Sequence, residues 1–457
     1  MPSSTQPEIR LQRRLGPLDG AAIVVSNVIG GGIFLLPAFI AQSVTHPWAM
    51  LAVWAAGGAL AFTGAMAYAE LAALRPRAGG EYVYLREAFG PVAGFLTGWT
   101  SFVAGFSGAT AASAVGLASY VSRFVPVAGD TTPFLTIPLG PFQLVASPQA
   151  VVAIAVIALL SAVHMYGLGP GRIVQNLLAG AKIALLVAFV VLGFGLGEGD
   201  AAHFGAGGAV SPALWVLALI PVMFSYSGWN AAAYVAEEIR DPGRNLPLAL
   251  GLGTVAVVVV YLLLNALYIY ALPVAELATV DVRVVDAAAD QLFGPAIAGP
   301  FAAASVVMIA ASISAMVLAG PRVYYAMARD GLFPAFAARL HPRYRTPSRA
   351  IAAQGIWASL LVLSGRFDQL VEYTGFAIVL FAGVGVASLF VLRRRHPDEP
   401  RPFRAWGYPI APVIFATSSA LIVLNALWRS PATAGAGVLV ILAGLPVFLF
   451  MRRSRSR

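Results

Sequence analysis

The chain has 457 residues, of which 59% are hydrophobic and only 11% are charged, and its mean hydropathy is +0.81. Soluble domains contain roughly 25% charged residues, so this composition excludes a soluble globular protein and indicates an integral membrane protein. The chain contains no cysteine, which excludes structural disulfides, thiolate catalysis, cysteine-ligated zinc and iron–sulfur clusters.

Twelve apolar runs are long enough to cross a membrane, because a helix needs about 20 apolar residues to span a core of about 30 Å. They lie at residues 18–41, 48–72, 91–120, 148–167, 172–197, 211–237, 247–272, 295–326, 350–365, 369–392, 408–428 and 432–451. The first seventeen residues are polar and lack the apolar core of a secretory signal, so we expect span 1 to remain in the mature protein. The predicted fold class is all-α, with 12 transmembrane helices.

Basic residues concentrate in alternate loops between these spans. Only Arg123, Arg283, Arg366 and Arg429 fall in the loops of one side, and nearly all other arginines fall on the opposite side or in the tails. Because cytoplasmic loops carry the excess of Lys and Arg, we expect both termini in the cytoplasm and a location in the inner (cell) membrane. The net charge of +9 then reflects topology, with anionic membrane lipid rather than nucleic acid as its partner.

Spans 1 and 6 contain residues that the interior of a helix disfavours. Span 1 carries Gly30, Gly31 and Gly32 in succession, and each glycine costs about 1 kcal/mol relative to alanine in a helix. Glycines that serve close helix packing usually recur every four residues instead. Span 6 carries the polar stretch 225–230, Ser-Tyr-Ser-Gly-Trp-Asn, in mid-membrane. We therefore expect both helices to be discontinuous.

The two interrupted spans begin successive blocks of five helices. Because five is odd, the blocks enter the membrane from opposite sides, which predicts a 5+5 inverted repeat. The repeats are residues 18–197 and 211–392, followed by two helices at 408–451 and flanked by cytoplasmic tails at 1–17 and 452–457. Interrupted helices at matching positions of inverted halves indicate the substrate site of a secondary transporter.

The chemistry of such a site follows from the free peptide groups at each break. Amide groups of the three glycines, at the positive end of a half-helix, favour a carboxylate, and carbonyl groups near Val28, Phe224 and Ser227 suit an ammonium. A site with both ends fits an α-amino acid and needs no metal, cofactor or catalytic residue. The predicted substrate-binding residues are Val28, Ile29, Gly30, Gly31, Gly32, Phe224, Ser225 and Ser227.

Lys182 is the only lysine among 29 basic residues and lies near the middle of span 5. An ammonium at this depth costs roughly 2.5–3.5 kcal/mol on insertion scales, so it requires partners. Snorkelling to the interface and a neutral amine are alternatives. We favour a hypothesis in which the ammonium bonds the carbonyl groups exposed by the break in span 1 and stands in place of a coupling ion.

Four stretches of the sequence resemble the amino acid–polyamine–organocation (APC) superfamily, and most closely its L-amino acid transporter branch, which includes bacterial members. The stretches are 30–34 (GGGIF), 77–90, 224–247 and 320–331. The resemblance implies the inverted repeat described above, a lid over the substrate at Phe224, and a former sodium site at Lys182. Gly31 replaces a serine that is frequent in the family, and without cysteine the chain cannot bond to a glycoprotein heavy chain.

Acidic residues after span 6 have two interpretations. Asp241 and Arg244, in an Asp-Pro-Gly turn, can simply close the helix. Alternatively, these residues form a cytoplasmic gate in which Glu237, Glu238, Asp241 and Arg244 make ion pairs that break as the site opens. The possible partners are Arg77, Arg322 and Arg329. Proton movement through Glu372 or His164 is a weaker hypothesis, and Ser26 and Asn27 either line the pocket or cap backbone.

The sequence favours a transporter of neutral L-amino acids, working by exchange, because the pocket-facing stretches carry no acid to pair with a cationic side chain. A proton-coupled symporter and an antiporter of cationic amino acids or polyamines are the alternatives within the superfamily. Gly105-Phe106-Ser107-Gly108 is similar to an intramembrane serine protease motif, with His164 as the available base. A channel is disfavoured because no pore-lining ring repeats along the sequence.

Overall fold

The computed structural model describes residues 11–139, 142–280, 283–365 and 367–453. Arg366, the side chain of Glu372 and the ends of both predicted tails lie outside the described residues. The helices are α1 (Pro17–Val28), α2 (Gly32–Ala41), α3 (Pro47–Leu74), α4 (Glu81–Phe89), α5 (Pro91–Thr100), α6 (Phe106–Val121), α7 (Pro148–Met165), α8 (Leu168–Leu196), α9 (Pro212–Ser225), α10 (Ala231–Tyr234), α11 (Pro242–Ala271), α12 (Val274–Leu277), α13 (Val284–Phe293), α14 (Ala298–Arg329), α15 (Ser348–Ser364), α16 (Phe367–Arg395), α17 (Ile410–Arg429), α18 (Pro431–Leu442) and α19 (Gly444–Arg453). A π-helical turn at Ser101–Gly105 joins α5 to α6.

A two-stranded sheet departs from the all-α expectation. Strand β1 (Leu135–Leu139) pairs antiparallel with β2 (Phe142–Ala146) in the loop between α6 and α7, with Ile137 opposite Leu144. The strands contain the β-branched residues Thr136, Ile137 and Val145, which favour extended backbone. The hairpin therefore lies within a loop and leaves the arrangement of the helices unchanged.

Proline at the first turn marks where many of the helices begin. It occupies this position in α1, α3, α5, α7, α9, α11 and α18. The first turn tolerates proline because its amide groups have no acceptor within the helix and its fixed φ is already helical. A helix lies in each of the twelve predicted ranges. Most of the ranges that correspond to a helix with a first-turn proline begin within one residue of that proline.

Within the described residues, nine helices are long and apolar enough to cross a membrane. The pair α1 and α2 forms a tenth candidate span, bent by 49°. Helices α9 and α15 are shorter, with 14 and 17 residues, against about 20 for an uninterrupted span. The chain is therefore a multi-pass membrane protein, as the composition predicts.

The buried apolar side chains form two main groups. The larger group includes α1, α3, α9 and α11 and extends to α8, α14 and α16, and a separate one joins α6, α7, α15 and another part of α14. At one end of α3, the fully buried carboxylate of Glu70 bonds Arg393 at 2.6 Å and Arg401 at 3.1 Å. It also accepts from the backbone amide of Ala405. These bonds fasten α3 to the end of α16 and to the loop that precedes α17.

Candidate functional site

The first break lies where the glycines predict it, between α1 and α2. Helix α1 ends at Val28 and α2 begins at Gly32. Phe34 and Leu35 donate to the carbonyl of Gly31, whereas the described backbone bonds give no acceptor to the amides of Gly30, Gly31 and Gly32. A side-chain carbon placed on Gly31 would meet nothing within 4 Å, so the backbone faces open space at this point. An incoming carboxylate can therefore reach these donors.

The second break separates α9 from α10. The chain turns between Ser225 and Ala231, and Gly228 takes a φ of +101° that side-chain-bearing residues rarely adopt. A Cβ on Gly228 would lie 3.2 Å from the backbone of Asn27 in α1. A Cβ on Gly32 would lie 3.0 Å from Cα of Ser225. The two breaks are thus in direct contact, and glycine makes the close approach possible.

A tyrosine hydroxyl lies between the carbonyl groups of both breaks. The hydroxyl of Tyr261, in α11, is 2.9 Å from the carbonyl oxygen of Val28 and 3.0 Å from that of Ser225. Because a hydroxyl has one proton, it donates to one carbonyl at a time. Sequence reasoning missed this residue, since α11 carries several tyrosines and no pattern distinguishes Tyr261 from the others.

Lys182 makes the contact that its position predicts. Its buried ammonium donates to the carbonyl oxygen of Ile29 at 2.6 Å and to that of Ser26 at 3.2 Å. It also donates to the hydroxyl of Ser312 at 2.8 Å, and that hydroxyl is 3.1 Å from the same carbonyl of Ile29. The ammonium therefore satisfies the last carbonyls of α1, while its part in ion coupling stays a prediction.

A cavity of about 140 Å³ lies beside the second break and reaches Asn27, near the end of α1. Its lining residues are Asn27, Glu81, Thr97, Thr100, Ser101, Gly105, Phe106, Ala109, Ser227, Gly228, Asn230, Ala231, Tyr234, Met316, Ala377, Ile378 and Phe381. The wide π-helical turn faces this cavity from span 3, and such turns are frequent at functional sites. No sequence signal indicated that turn.

The predicted binding residues divide between the cavity and its edge. Ser227 lines the cavity, whereas Val28, Ile29, the three glycines and Ser225 lie at the breaks beside it. Phe224, the predicted lid, is 36% exposed in the last turn of α9 and packs against Gly375 of α16. Trp229 points away from the cavity, with its ring buried between those of Tyr68 and Phe415.

The expectation that no acid faces the pocket is wrong. Glu81, the first residue of α4, lines the cavity and accepts a hydrogen bond from the side-chain amide of Asn230. Sequence reasoning assigned this residue to a cytoplasmic loop. Gly79 and Gly80 precede it with positive φ values of 114° and 50°, and they turn the chain back toward the membrane core. That glycine pair was the signal available in the sequence.

Several ion pairs lie at the side of the molecule where α10 ends. Glu238 binds Arg322 at 2.7 Å, with both side chains almost fully buried, and the more exposed Glu237 binds Arg329 at 2.9 Å. The third predicted arginine, Arg77, binds Asp330 at 3.2 Å.

Other contacts on this side are made by the backbone. The carbonyl of Asp241 accepts from the amides of Arg244 and Asn245, which is the turn interpretation of that stretch. The amide groups of Arg14 and Leu15 donate to the carbonyl of Glu238 at 2.9 Å, so the residues before α1 are bound to the same segment.

The geometry opposes the protease interpretation. Nε2 of His164 lies 2.9 Å from the hydroxyl of Ser314 in α14, and the described bonds of His164 do not include Ser107. Without that pairing, the serine of the Gly-Phe-Ser-Gly stretch has no base to activate it.

A multi-pass membrane protein whose interrupted helices meet beside a cavity is built like a secondary transporter. The family model described as "Amino acid permease" matches residues 15–451. The chain is 29% identical over 451 residues to the serine/threonine exchanger SteT of Bacillus subtilis, covering 98% of each protein. It is 32% identical over 461 residues to the b(0,+)-type amino acid transporter 1 of Rattus norvegicus, covering 98% of this chain and 90% of the relative.

The chain belongs to the amino acid permease family, which confirms its resemblance to the APC superfamily. A third relative, the large neutral amino acids transporter small subunit 2 of Mus musculus, is 28% identical over 468 residues, covering 98% of this chain and 84% of the relative. The family consists of transporters rather than enzymes.

Replacing Lys182 with alanine should reduce amino acid uptake by more than tenfold, because each lost bond from a charged donor is worth about 1.5–3 kcal/mol. The variant should still elute as a single species in detergent. Ser312→Ala serves as the comparison, since it removes one partner and keeps the ammonium, and its uptake should stay within about threefold of the parent. Near-normal uptake by Lys182→Ala would contradict the prediction.

Proposed function

We propose that this protein exchanges α-amino acids across the cell membrane by alternating access. The observation that carries the proposal is the meeting of two helix breaks beside one cavity. One break presents amide donors at Gly30–Gly32, and the other brings carbonyl groups to the same place. A zwitterion has the two charges that these two sets of groups complement.

The carbonyl groups near the breaks retain capacity for a ligand. The carbonyl of Val28 lies within bonding distance of Tyr261, and that of Phe224 accepts from the amide of Ser227. Each carbonyl oxygen has two lone pairs and accepts a second donor. Ser227 and Asn27 line the cavity directly, so an ammonium bound there stays close to the amide groups that would hold the carboxylate.

We assign twelve spans to the chain, with a five-plus-five inverted repeat at 18–197 and 211–392 and both termini in the cytoplasm. Helices lie within all twelve ranges, and the arginine distribution supports the orientation. A bundle around spans 1 and 6 moves against a scaffold of spans 3–5 and 8–10, and the separate apolar group shared by spans 3, 4, 8 and 9 supports that scaffold. Phe224 is assigned as the outer lid and the Glu237 and Glu238 ion pairs as the cytoplasmic gate.

Neutral L-amino acids are the first substrates to test, because most of the cavity lining is apolar or hydroxylic. Exchange is supported by one relative, which bears the name of a serine/threonine exchanger. Another relative is named as a small subunit, but this chain has no cysteine for a disulfide to a second chain. We propose that it works without a disulfide-linked partner.

Proteoliposomes loaded with unlabelled amino acid should take up a labelled one by counterflow. Competitors in which the carboxylate is methylated or the amine is acetylated should lose most of their effect, because each lost charge leaves one set of peptide groups without its partner. Inhibition unchanged by both modifications would contradict recognition at two ends. Uptake that requires an inward proton gradient, without internal substrate, would indicate symport in place of exchange.

Replacing Gly31 with serine should lower the KM for amino acids about tenfold, because a hydroxyl bond to a carboxylate is worth about 1.5 kcal/mol or more. The site has room for the side chain and its φ of −58° suits any residue. Gly31→Ala is the matched control and should leave KM unchanged. Gly32→Ala should abolish uptake, because its Cβ would lie 3.0 Å from Cα of Ser225. A KM that Gly31→Ser does not lower would contradict carboxylate binding here.

Weakening the cytoplasmic gate should expose the cavity. In this cysteine-free chain, Ala109→Cys places a single thiol on the cavity wall. Adding Glu237→Gln removes the charge partner of Arg329 and should raise labelling by a membrane-impermeant maleimide from the cytoplasmic side several-fold. Glu87→Gln, which disturbs an ion pair with Arg75 away from the cavity, should leave labelling unchanged. Equal labelling in all three proteins would refute the gate assignment.

A further inference from the structure

The cavity contains one carboxylate and no cationic side chain among the lining residues that the structure describes. The carboxylate is that of Glu81, which is 8% exposed. Its neighbours in the lining are hydroxyls, amides, aliphatic groups and aromatic rings. Transfer of an ionised carboxylate into such surroundings is unfavourable unless a cation or a proton accompanies it.

The protein holds this side chain in place through neutral donors. The side-chain amide of Asn230 bonds both the carboxylate of Glu81 and, at 3.1 Å, the hydroxyl of Tyr234. The amide of Gly79 donates to the carbonyl of Tyr234 at 3.1 Å and fastens the turn that carries Glu81 to α10. Glu81 is therefore oriented by the same broken segment that forms the substrate site.

The groups that face Glu81 from neighbouring elements are uncharged at neutral pH. Phenols of Tyr68 in α3, Tyr84 in α4 and Tyr234 in α10 lie around it, and a phenol, with an ordinary pKa of about 10, is neutral at pH 7. Helix α5, which also packs against α4, contains no ionisable residue.

Two cations on the other adjoining helices already have acidic partners. Arg322 of α14 binds Glu238, and Arg393 of α16 binds Glu70. Within the described residues, Glu70 and Glu238 are thus buried acids with arginine partners, whereas the bonds to Glu81 come from neutral groups. This contrast leaves Glu81 able to accept a cation supplied by the transported molecule.

We propose that Glu81 is a specificity-determining residue that binds the cationic side chain, ammonium or guanidinium, of a basic amino acid. The inference rests on the proposed amino acid exchange and extends its substrates from neutral to cationic side chains. With the α-amino and α-carboxyl groups at the helix breaks, the substrate side chain lies along the cavity and ends at Glu81.

The proposal predicts a pH dependence of a definite sign. Burial raises the pKa of Glu81 to about 7, opposed only in part by the hydrogen bond from Asn230. Below that pH the carboxyl group is neutral, and above it the carboxylate attracts a cation. For one group with this pKa the ionised fraction rises about tenfold between pH 6 and pH 8, so affinity for a basic amino acid should rise by a similar factor.

The test measures inhibition of counterflow by L-arginine and by L-citrulline, its neutral isostere, at pH 6 and pH 8. In the parent protein, arginine should inhibit about tenfold better at pH 8, while citrulline should change little. In Glu81→Gln, arginine should lose this pH dependence and inhibit about as well as it inhibits the parent at pH 6. Glu87→Gln, in the same helix but bonded to Arg75, should behave as the parent.

Four results would overturn the proposal. Failure of arginine to inhibit at pH 8, with neutral exchange intact, would refute cation binding and leave the proposed function standing. Arginine inhibition unaltered by Glu81→Gln would remove the residue from the site. Absence of counterflow with every amino acid would refute both proposals. If Glu81→Gln does not fold, the measurement on the parent protein is sufficient. Equal inhibition by arginine at pH 6 and pH 8 in the parent would contradict titration at Glu81.

Discussion

A membrane helix can be interrupted only where its freed peptide groups find partners, because an unsatisfied backbone group in hydrocarbon costs several kcal/mol. In this protein the partners are buried side chains from other helices. The ammonium of Lys182 and the hydroxyl of Ser312 meet the carbonyl of Ile29, and the hydroxyl of Tyr261 lies between those of Val28 and Ser225. The two breaks are therefore stabilised jointly, and a change in one alters the partner of the other.

The first break was predictable because its signal is local. Three adjacent glycines and a lysine in mid-membrane are each unfavourable within their own helix, so the sequence itself shows that something else must compensate. The second break shows where a count of spans by helix length fails. Helix α9 is too short to qualify because the second break ends it at Ser225, so a criterion based on helix length fails at the functional site.

Residues whose importance depends on distant packing could not be predicted. Glu81 lies far from Asn230 in sequence and resembles any other acid at a helix start until the two are brought together. Tyr261 is one tyrosine among several in α11, and only the tertiary fold places it against both breaks. The π-helical turn at Ser101–Gly105 results from packing between helices, and its sequence contains no residue that requires it.

One short segment of the chain contributes both to the cavity and to the ion pairs of Glu237 and Glu238. Asn230 faces Glu81, and eight residues later Glu238 binds Arg322, with only the single turn of α10 and a short 3₁₀ helix between them. The loop before α4 contacts both ends, because Gly79 bonds Tyr234 and Ala78 bonds Glu237.

A ligand shifts an equilibrium between closed and open states only by binding the two states with different affinity. The proposed substrate contact at Glu81 would meet this condition, since an opening that moves this segment would also move Asn230 and its bond to Glu81. Because Glu238 and Arg322 are buried, separating them would leave two unpaired charges unless water enters, so the proposed gate must include hydration of this pair.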